Sequence, residues 1–470
     1  MKVLAINPVI RKEDKARLIP HGLAIISNII RRDFGITPEF LDINAYRYSD
    51  RQVEHVIDDV HADVVLLGSL IPVYKEVIKW STYIKDTYPE TTIVAGGSVA
   101  SPIPDILLRN SKVDIICMGE GEKTVPNILR NLNKRDIKGI AYKKDGKTII
   151  TEPEPLILNL DEESMLPAYD LLPMEIYLNN QAIGMGREID FISSRGCPFM
   201  CTFCYQPWGS RPRLHSIGFL INAIKFLKKT YDIDFVTFVE DEFLIDKNRA
   251  REFCNYMKDT DILWSCNGRA NILANDEDLM KTMVNGNCVF IAYGFESGST
   301  KMLKSMNKKQ TIEQMETVTK LNRKYGLPVP VSFILGMPSE DKFTVKETTD
   351  FCLRNNLPLD SLMFATPYPG TQLYKFAKET GRITNEDEFI LKIRDARDFI
   401  INLTDTFTDE ELINLRLSMM KETREHYENY LSPDDILEKM KKLYGKLYDK
   451  TNLSQEDLEH RAKHGGINIF

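Results

Sequence analysis

Short apolar runs alternate with amphipathic stretches over residues 2–132 and again over 188–365, a rhythm that restricts the chain to folds built on parallel sheets. In the first series, apolar runs at 3–6, 39–43, 64–67, 92–95 and 114–117 are each followed by a helical pattern, at 23–32, 53–60, 77–85, 103–109 and 125–132. These five units predict a doubly wound α/β sheet over residues 1–150. Ligands of such sheets sit beyond the carboxyl ends of the strands, and glycines cluster there: Gly68-Ser69-Leu70, Gly96-Gly97 and Gly119-Glu120-Gly121-Glu122. A residue without a side chain permits a tight strand-to-helix turn, and equally lets a flat or bulky ligand approach the backbone.

Residues 138–151 read as a hairpin around Asp145-Gly146. The following stretch is acidic and carries Pro153, Pro155, Pro167 and Pro173, which suits an extended surface linker over residues 151–185. The second series places strands at 188–193, 235–239, 263–266, 289–293, 329–335 and 361–365. Over residues 186–370 these units predict a parallel sheet curled into a partial (β/α)6 barrel of the TIM type, with its site at the strand C-termini. From 371 to 470 helical patterns dominate, at 409–430 and 434–450, and predict a mostly helical domain that caps or shapes a substrate site.

The chain has 470 residues, 43% hydrophobic and 27% charged, as an ordinary multidomain globular protein does. Its 61 basic and 68 acidic residues offer no global attraction for nucleic acid. Uncharged runs such as 64–73 and 91–104 are too short and too broken by Gly and Pro to cross a bilayer, so no transmembrane segment is expected. The N-terminus reads as a strand rather than a signal peptide, which predicts a cytoplasmic protein. Eight cysteines are too sparse for a disulfide scaffold, whereas a close group of them suits metal.

That group lies in Arg195-Gly196-Cys197-Pro198-Phe199-Met200-Cys201-Thr202-Phe203-Cys204, directly after the first strand of the second series. Thiolates hold iron–sulfur centres, and Gly196 and Pro198 let a loop fold around one. Three cysteines rather than four leave one iron for an exogenous ligand, by the logic that separates open catalytic zinc sites from closed structural ones. A zinc site would need a fourth ligand, and His215 is the nearest histidine. Cys117, Cys254, Cys266, Cys288 and Cys352 fall on apolar strand or helix positions, where cysteine acts as a small hydrophobe; Cys266, at a strand C-terminus, is the one candidate among them for a further role.

This CxxxCxxC, with an aromatic residue before its last cysteine, resembles the cluster loop of the radical S-adenosylmethionine (radical SAM) superfamily, and the resemblance extends over residues 188 to about 366. It implies a [4Fe–4S] cluster on Cys197, Cys201 and Cys204, with SAM chelating the open iron and yielding a 5′-deoxyadenosyl radical on one-electron reduction. Phe238-Val239-Glu240-Asp241 stands where the family places an acidic motif near the SAM amino group. Glu240 is the first choice and Asp241 the second, because an ammonium in a dry pocket needs a carboxylate; a solvated strand end or helix cap would use the same residues. Arg269, in Asn267-Gly268-Arg269, would pair with the SAM carboxylate or a substrate acid, or else form an inter-helix salt bridge. Gly294-Phe295-Glu296-Ser297-Gly298 resembles the Glu-Ser segment at the SAM ribose, and Gly336-Met337-Pro338 the glycine-rich turn along adenine.

A Rossmann-like (flavodoxin-like) domain before such a barrel resembles the cobalamin (B12)-binding class, the class B radical SAM methylases. Ser69, Leu70, Gly96, Gly97, Gly119 and Glu120 match its landmarks for corrin binding. The Asp-x-His-x-x-Gly loop that supplies a cobalt-ligating histidine in one version of the class is absent; Asn7-Pro8-Val9 and Pro20-His21-Gly22 stand there instead. This implies cobalt without a protein histidine, or a domain that has lost cobalamin, and His21 reads as a helix-start residue. The methylthiotransferase branch is disfavoured, since Cys117 is the sole cysteine before the cluster loop.

The resemblance implies cobalamin-dependent methylation of an unactivated carbon in a small-molecule, lipid or peptide substrate, with an external electron donor such as flavodoxin or ferredoxin. Radical cyclisation, carbon–carbon coupling or rearrangement, with or without cobalamin, is the enzymatic alternative. A non-catalytic metal-binding module is the alternative of another class. Tyr205, Trp208 and Tyr368 sit where a substrate could lie or where packing alone would place them.

Overall fold

The computed structural model describes residues 1–132, 136–163, 166–180 and 186–445. The N-terminal sheet is built from β1 (Val3–Asn7), β2 (Glu39–Asp42), β3 (Val64–Gly68), β4 (Thr92–Gly96), β5 (Ile115–Cys117), β6 (Ile140–Lys144) and β7 (Lys147–Ile150), in the order β2-β1-β3-β4-β5-β6-β7. The first five strands are parallel, as the alternation predicts. Every residue of β1 and β3 is buried, which accounts for their unbroken apolar sequences: helices cover both faces. Ser49 and Gln52 close a capping box on the helix Asp50–Val60, and Gly35 in the left-handed conformation ends His21–Phe34. The predicted hairpin forms with Asp145 and Gly146 at φ 50° and 75°. It also joins the sheet, β6 pairing antiparallel with β5 through Cys117 and Ile140.

Of residues 151–185, expected as an extended surface linker, the described ones are extended only at their start. Beyond Asn159 short helices, Leu160–Glu163 and Met174–Asn179, accompany Tyr169 and Tyr177 into the interior. The Tyr177 hydroxyl donates to Asp42 at 2.6 Å and the Asn7 amide to the same carboxylate at 2.9 Å, which stitches this stretch to the ends of β1 and β2. Its prolines have the composition of a linker; its tyrosines need a partner surface that only the folded molecule supplies.

The second sheet holds β8 (Glu188–Phe191), then β11 (Phe235–Phe238), β12 (Leu263–Gly268), β13 (Cys288–Glu296), β14 (Val331–Leu335) and β15 (Leu362–Phe364), all parallel and adjacent in chain order. A two-stranded ribbon, β9 (Ser194–Arg195) with β10 (Arg213–Leu214), interrupts the first crossover. Sequential parallel strands joined by helices on one side give the predicted open barrel. Phe238, Phe243, Phe253 and Trp264 pack edge-on or tilted at 4.5 to 6.0 Å between ring centres and fill its core. β14 starts two residues later than the apolar run suggests, because Pro330 cannot donate to the ladder.

The described C-terminal residues, 371–445, do not stand apart as a cap. Leu373, Tyr374, Phe389, Ile390 and Leu403 share one core with the N-terminal helices and with Met302, Met306 and Met337 of the barrel. The helix Asp409–Tyr430 instead lays Leu412 and Met419 into the barrel's core. The last helix is described over Pro433–Tyr444, so the final part of the predicted 434–450 segment lies outside the described residues. Among the described residues no helix is long and apolar enough to cross a membrane.

Candidate functional site

The cysteine loop leaves the β9–β10 ribbon and returns to it. Gly196 opens it at φ 87°, and a Cβ there would lie 2.5 Å from the Arg211 carbonyl oxygen, so the tight exit needs glycine. The Gln206 amide donates to the carbonyls of Cys197 at 3.1 Å and Phe199 at 2.5 Å. The Thr202 N–H donates to Met306 at 3.0 Å and its carbonyl accepts from the Leu373 N–H at 2.9 Å. The loop is thereby tied to the barrel and to the C-terminal segment.

Cys197, Cys201 and Cys204 all line one cavity of about 570 Å³, and none of the other five cysteines does. Burial pushes the Cys197 thiol up and Cys204 to about 12, helped by the nearby Asp241, so metal must displace protons to bind. Arg269 sits in the same wall, its Nη1 3.7 Å from Cys201 Sγ and its guanidinium 3.8 Å over the Phe199 ring. Its Nη2 donates to the Lys308 carbonyl. Three cysteines free of disulfides in the wall of one space, with Arg269 and Lys308 beside them to offset thiolate charge, have the donor chemistry of an iron–sulfur cluster, although among the described residues no three such donors are drawn together closely enough to hold a metal ion. His215, the candidate for a fourth zinc ligand, lies elsewhere: it bonds Asp161 at 2.8 Å, stacks on Phe219 at 3.9 Å and is held down to about 4 by burial.

The carboxylates divide differently from the expectation. Glu240 is buried away from the cavity, its Oε1 accepting from the Ser193 hydroxyl at 2.5 Å, and burial pushes it up to about 7. Asp241 and Glu242 line the cavity; Glu242 is buried, pushed up to about 8, and accepts the Leu244 N–H at 3.1 Å. Glu296 is in the wall at φ 65°, paired with Lys308 at 2.7 Å. Ser297 is turned away, 3.0 Å from the Thr348 hydroxyl, and the Gly336 N–H donates to Glu340 at 2.5 Å outside the cavity wall. Glu242 and Lys308 are charged lining residues to which sequence reasoning gave no role. The run of three acids after β11 was the one available signal for Glu242.

A second cavity, about 490 Å³, lies between the ends of the N-terminal strands and the barrel. Ser69, Leu70, Gly96, Gly97, Gly119 and Glu120 all belong to its wall. A Cβ on Gly68 would lie 2.5 Å from the Gly96 carbonyl oxygen and one on Gly97 2.6 Å from that of Ser69, so these glycines set the approach of β3 to β4 as well as clearing space. Glu120 is not free there, being engaged by Arg195 and Arg213. His21 starts its helix as expected, and it is buried with Nε2 3.2 Å from Asp190 of the barrel. A third cavity, about 620 Å³, shares Leu70, Ser98, Asp190, Tyr205 and Val239 with the second and reaches Glu188, Thr237 and Met363 inside the barrel. Tyr368 lines the third cavity and Trp208 the second.

Two family models match the chain, one described as the radical SAM superfamily over residues 191–352 and one as a B12 binding domain over residues 8–129. An uncharacterized methyltransferase of Pyrococcus horikoshii is 31% identical over 391 residues, covering 80% of this chain and 83% of its own. The anaerobic magnesium-protoporphyrin IX monomethyl ester cyclase of Rubrivivax gelatinosus is 26% identical over 391 residues, covering 80% and 70%. Among solved structures, the radical S-adenosylmethionine methyltransferase TsrM from Kitasatospora setae shares the fold with a TM-score of 0.67 at 17% identity, over 81% of this chain and 76% of that one.

Proposed function

Since this chain belongs to the radical SAM enzymes that carry a B12-binding domain, we propose that it transfers a methyl group from cobalamin to an unactivated carbon of a small-molecule substrate. SAM bound at the [4Fe–4S] cluster supplies a 5′-deoxyadenosyl radical on one-electron reduction, and cobalamin supplies the methyl group. Cys197, Cys201 and Cys204 hold the cluster, and Arg269 and Lys308 balance the thiolate charge. Asp241 and Glu242 receive the SAM ammonium in place of Glu240, whose carboxyl is turned to Ser193. Glu296 takes the ribose. The wall of Ser69, Leu70, Gly96, Gly97 and Gly119 holds the corrin's nucleotide tail.

The observation that carries this reading is the position of the cysteine loop as a partition. Its cysteines face the first cavity, while its Tyr205, Pro207 and Trp208 face the second. A substrate in the third cavity adjoins the second, with which that cavity shares Leu70, Asp190 and Tyr205. A cytoplasmic setting, which keeps thiols reduced, suits three thiolate ligands, and an electron donor of the flavodoxin or ferredoxin type completes the system.

The test is to supply the anaerobically reconstituted, cobalamin-loaded protein with reductant and methyl-deuterated SAM, and to follow the label. Label on cobalamin, then on a product, with both 5′-deoxyadenosine and S-adenosylhomocysteine formed, supports methyl transfer. 5′-Deoxyadenosine formed while cobalamin stays unlabelled and no S-adenosylhomocysteine appears reassigns the protein to radical cyclisation or rearrangement.

A further inference from the structure

Glu120 of the N-terminal domain stands between the two arginines that close the stem of the cysteine loop. Arg195 Nη1 lies 2.8 Å from Glu120 Oε1, and Arg213 Nη1 lies 2.8 Å from both oxygens of that carboxylate. The Ile157 N–H donates to Oε2 at 2.8 Å, and Arg195 is also paired with Glu122. None of the four charged side chains is more than 8% exposed. Arg195 and Arg213 are register partners across β9–β10, and the loop that leaves them carries all three cysteines. Glu120 and Glu122 lie at the start of the helix Gly121–Arg130, in the wall of the second cavity.

We propose that Glu120, acting through Arg195 and Arg213, is a positioning residue that fixes the cluster loop in distance and orientation against the corrin cavity. The inference rests on the reading that both cofactors bind. Charge pairs buried this deeply add little net stability, because desolvation offsets their attraction, and apolar residues of similar volume would hold two domains together as well. Adhesion is already supplied by the shared core around Met302, Met306 and Met337. The ion pairs add direction: Arg195 spreads its two terminal nitrogens over Glu120 and Glu122 while Arg213 Nη1 bridges both oxygens of Glu120, so the carboxylate is held from both strands of the stem. Misplacing reacting groups by about 1 Å costs on the order of a hundredfold in rate, and here the two cofactor sites belong to different domains.

The reduced cluster and cob(II)alamin each carry an unpaired spin, so electron paramagnetic resonance (EPR) of the doubly loaded protein reads their separation as a dipolar splitting. Glu120→Gln keeps the side-chain size and withdraws the charge; it is expected to broaden that splitting about twofold at unchanged iron and cobalt content. Arg213→Lys keeps the charge but withdraws the Nη2 that ties the stem to the Trp208 carbonyl, is expected to do the same, and carries the test if Glu120→Gln assembles poorly. Wild-type splitting in the variants overturns the proposal. So does loss of corrin alone in Glu120→Gln while Arg213→Lys matches wild type, which would make Glu120 a direct corrin contact. Wild-type protein that takes up no corrin would instead sink the reading of the function, before any variant is made. The clamp is then read from the cluster signal alone, which Glu120→Gln broadens if the stem fixes the loop and leaves unchanged if it does not.

Discussion

Lys308 Nζ lies 2.7 Å from Glu296 Oε1, with the two side chains 8% and 9% exposed in the wall of the cysteine cavity. Removing one partner leaves a buried charge without its counter-ion, at a cost of roughly 3–5 kcal/mol, whereas replacing both by apolar groups is close to neutral. Lys308→Met is therefore expected to lower the calorimetric melting temperature of the apoprotein sharply. Adding Glu296→Leu should restore most of it. A single variant that melts like the wild type would show the pair to be solvated.

Cys197→Ala, Cys201→Ala and Cys204→Ala are each expected to abolish iron and sulfide uptake on anaerobic reconstitution, while Cys254→Ala and Cys352→Ala retain it. Uptake by the wild type should slow as pH falls, because the buried Cys204 thiol, pushed up to about 12, must give up its proton to the metal. Iron and acid-labile sulfide per chain decide both points.

Glu340 is fully buried and accepts the N–H groups of Gly336 and Met337 at 2.5 and 3.2 Å, yet burial wins and pushes it up to about 7. Unfolded, it titrates near about 4.3. Between these values the folded state binds more protons, so stability falls as pH rises from about 4.3 to about 7, by on the order of 3 kcal/mol from this group, and is flat beyond. Glu340→Gln should remove that part of the slope in urea midpoints measured across the window. An unchanged slope would assign it to other groups, of which Glu240 has the same sign.

Gly97 and Gly146 both sit at positive φ, 80° and 75°, but only Gly97 has backbone in the path of a Cβ. Alanine at either costs about 1–2 kcal/mol of strain. Gly97→Ala must also displace the Ser69 backbone in the second cavity's wall, and is expected to weaken hydroxocobalamin uptake at least about tenfold in a fluorescence-quenching titration, a loss of about 1.4 kcal/mol. Gly146→Ala, at the hairpin tip, should leave uptake unchanged. Equal affinities in the two variants would separate the glycine wall from the corrin.

The parallel strands were legible because each is a short apolar run bounded by a helical period, and the cysteine loop because its spacing is local. Features that depend on distant surfaces were not. The β9–β10 ribbon is two residues wide and leaves no periodic trace, and Tyr169 and Tyr177 look like linker residues until Asp42 and the barrel are placed around them. The same limit applied to the site. Glu240, Asp241 and Glu242 are neighbours in sequence, and only the path of the chain after Phe238 decides which of them turn into the cavity. Lys308 enters because it folds back on Glu296, and Ser297 leaves because Thr348 holds it.

Cleavage of SAM by the reconstituted protein under dithionite tests the central claim most directly. With the three-cysteine cluster assembled, adding SAM should change its EPR spectrum, and chromatography with mass detection should find 5′-deoxyadenosine, absent from Cys204→Ala. An intact cluster whose spectrum ignores SAM, and which releases no 5′-deoxyadenosine, would contradict the account.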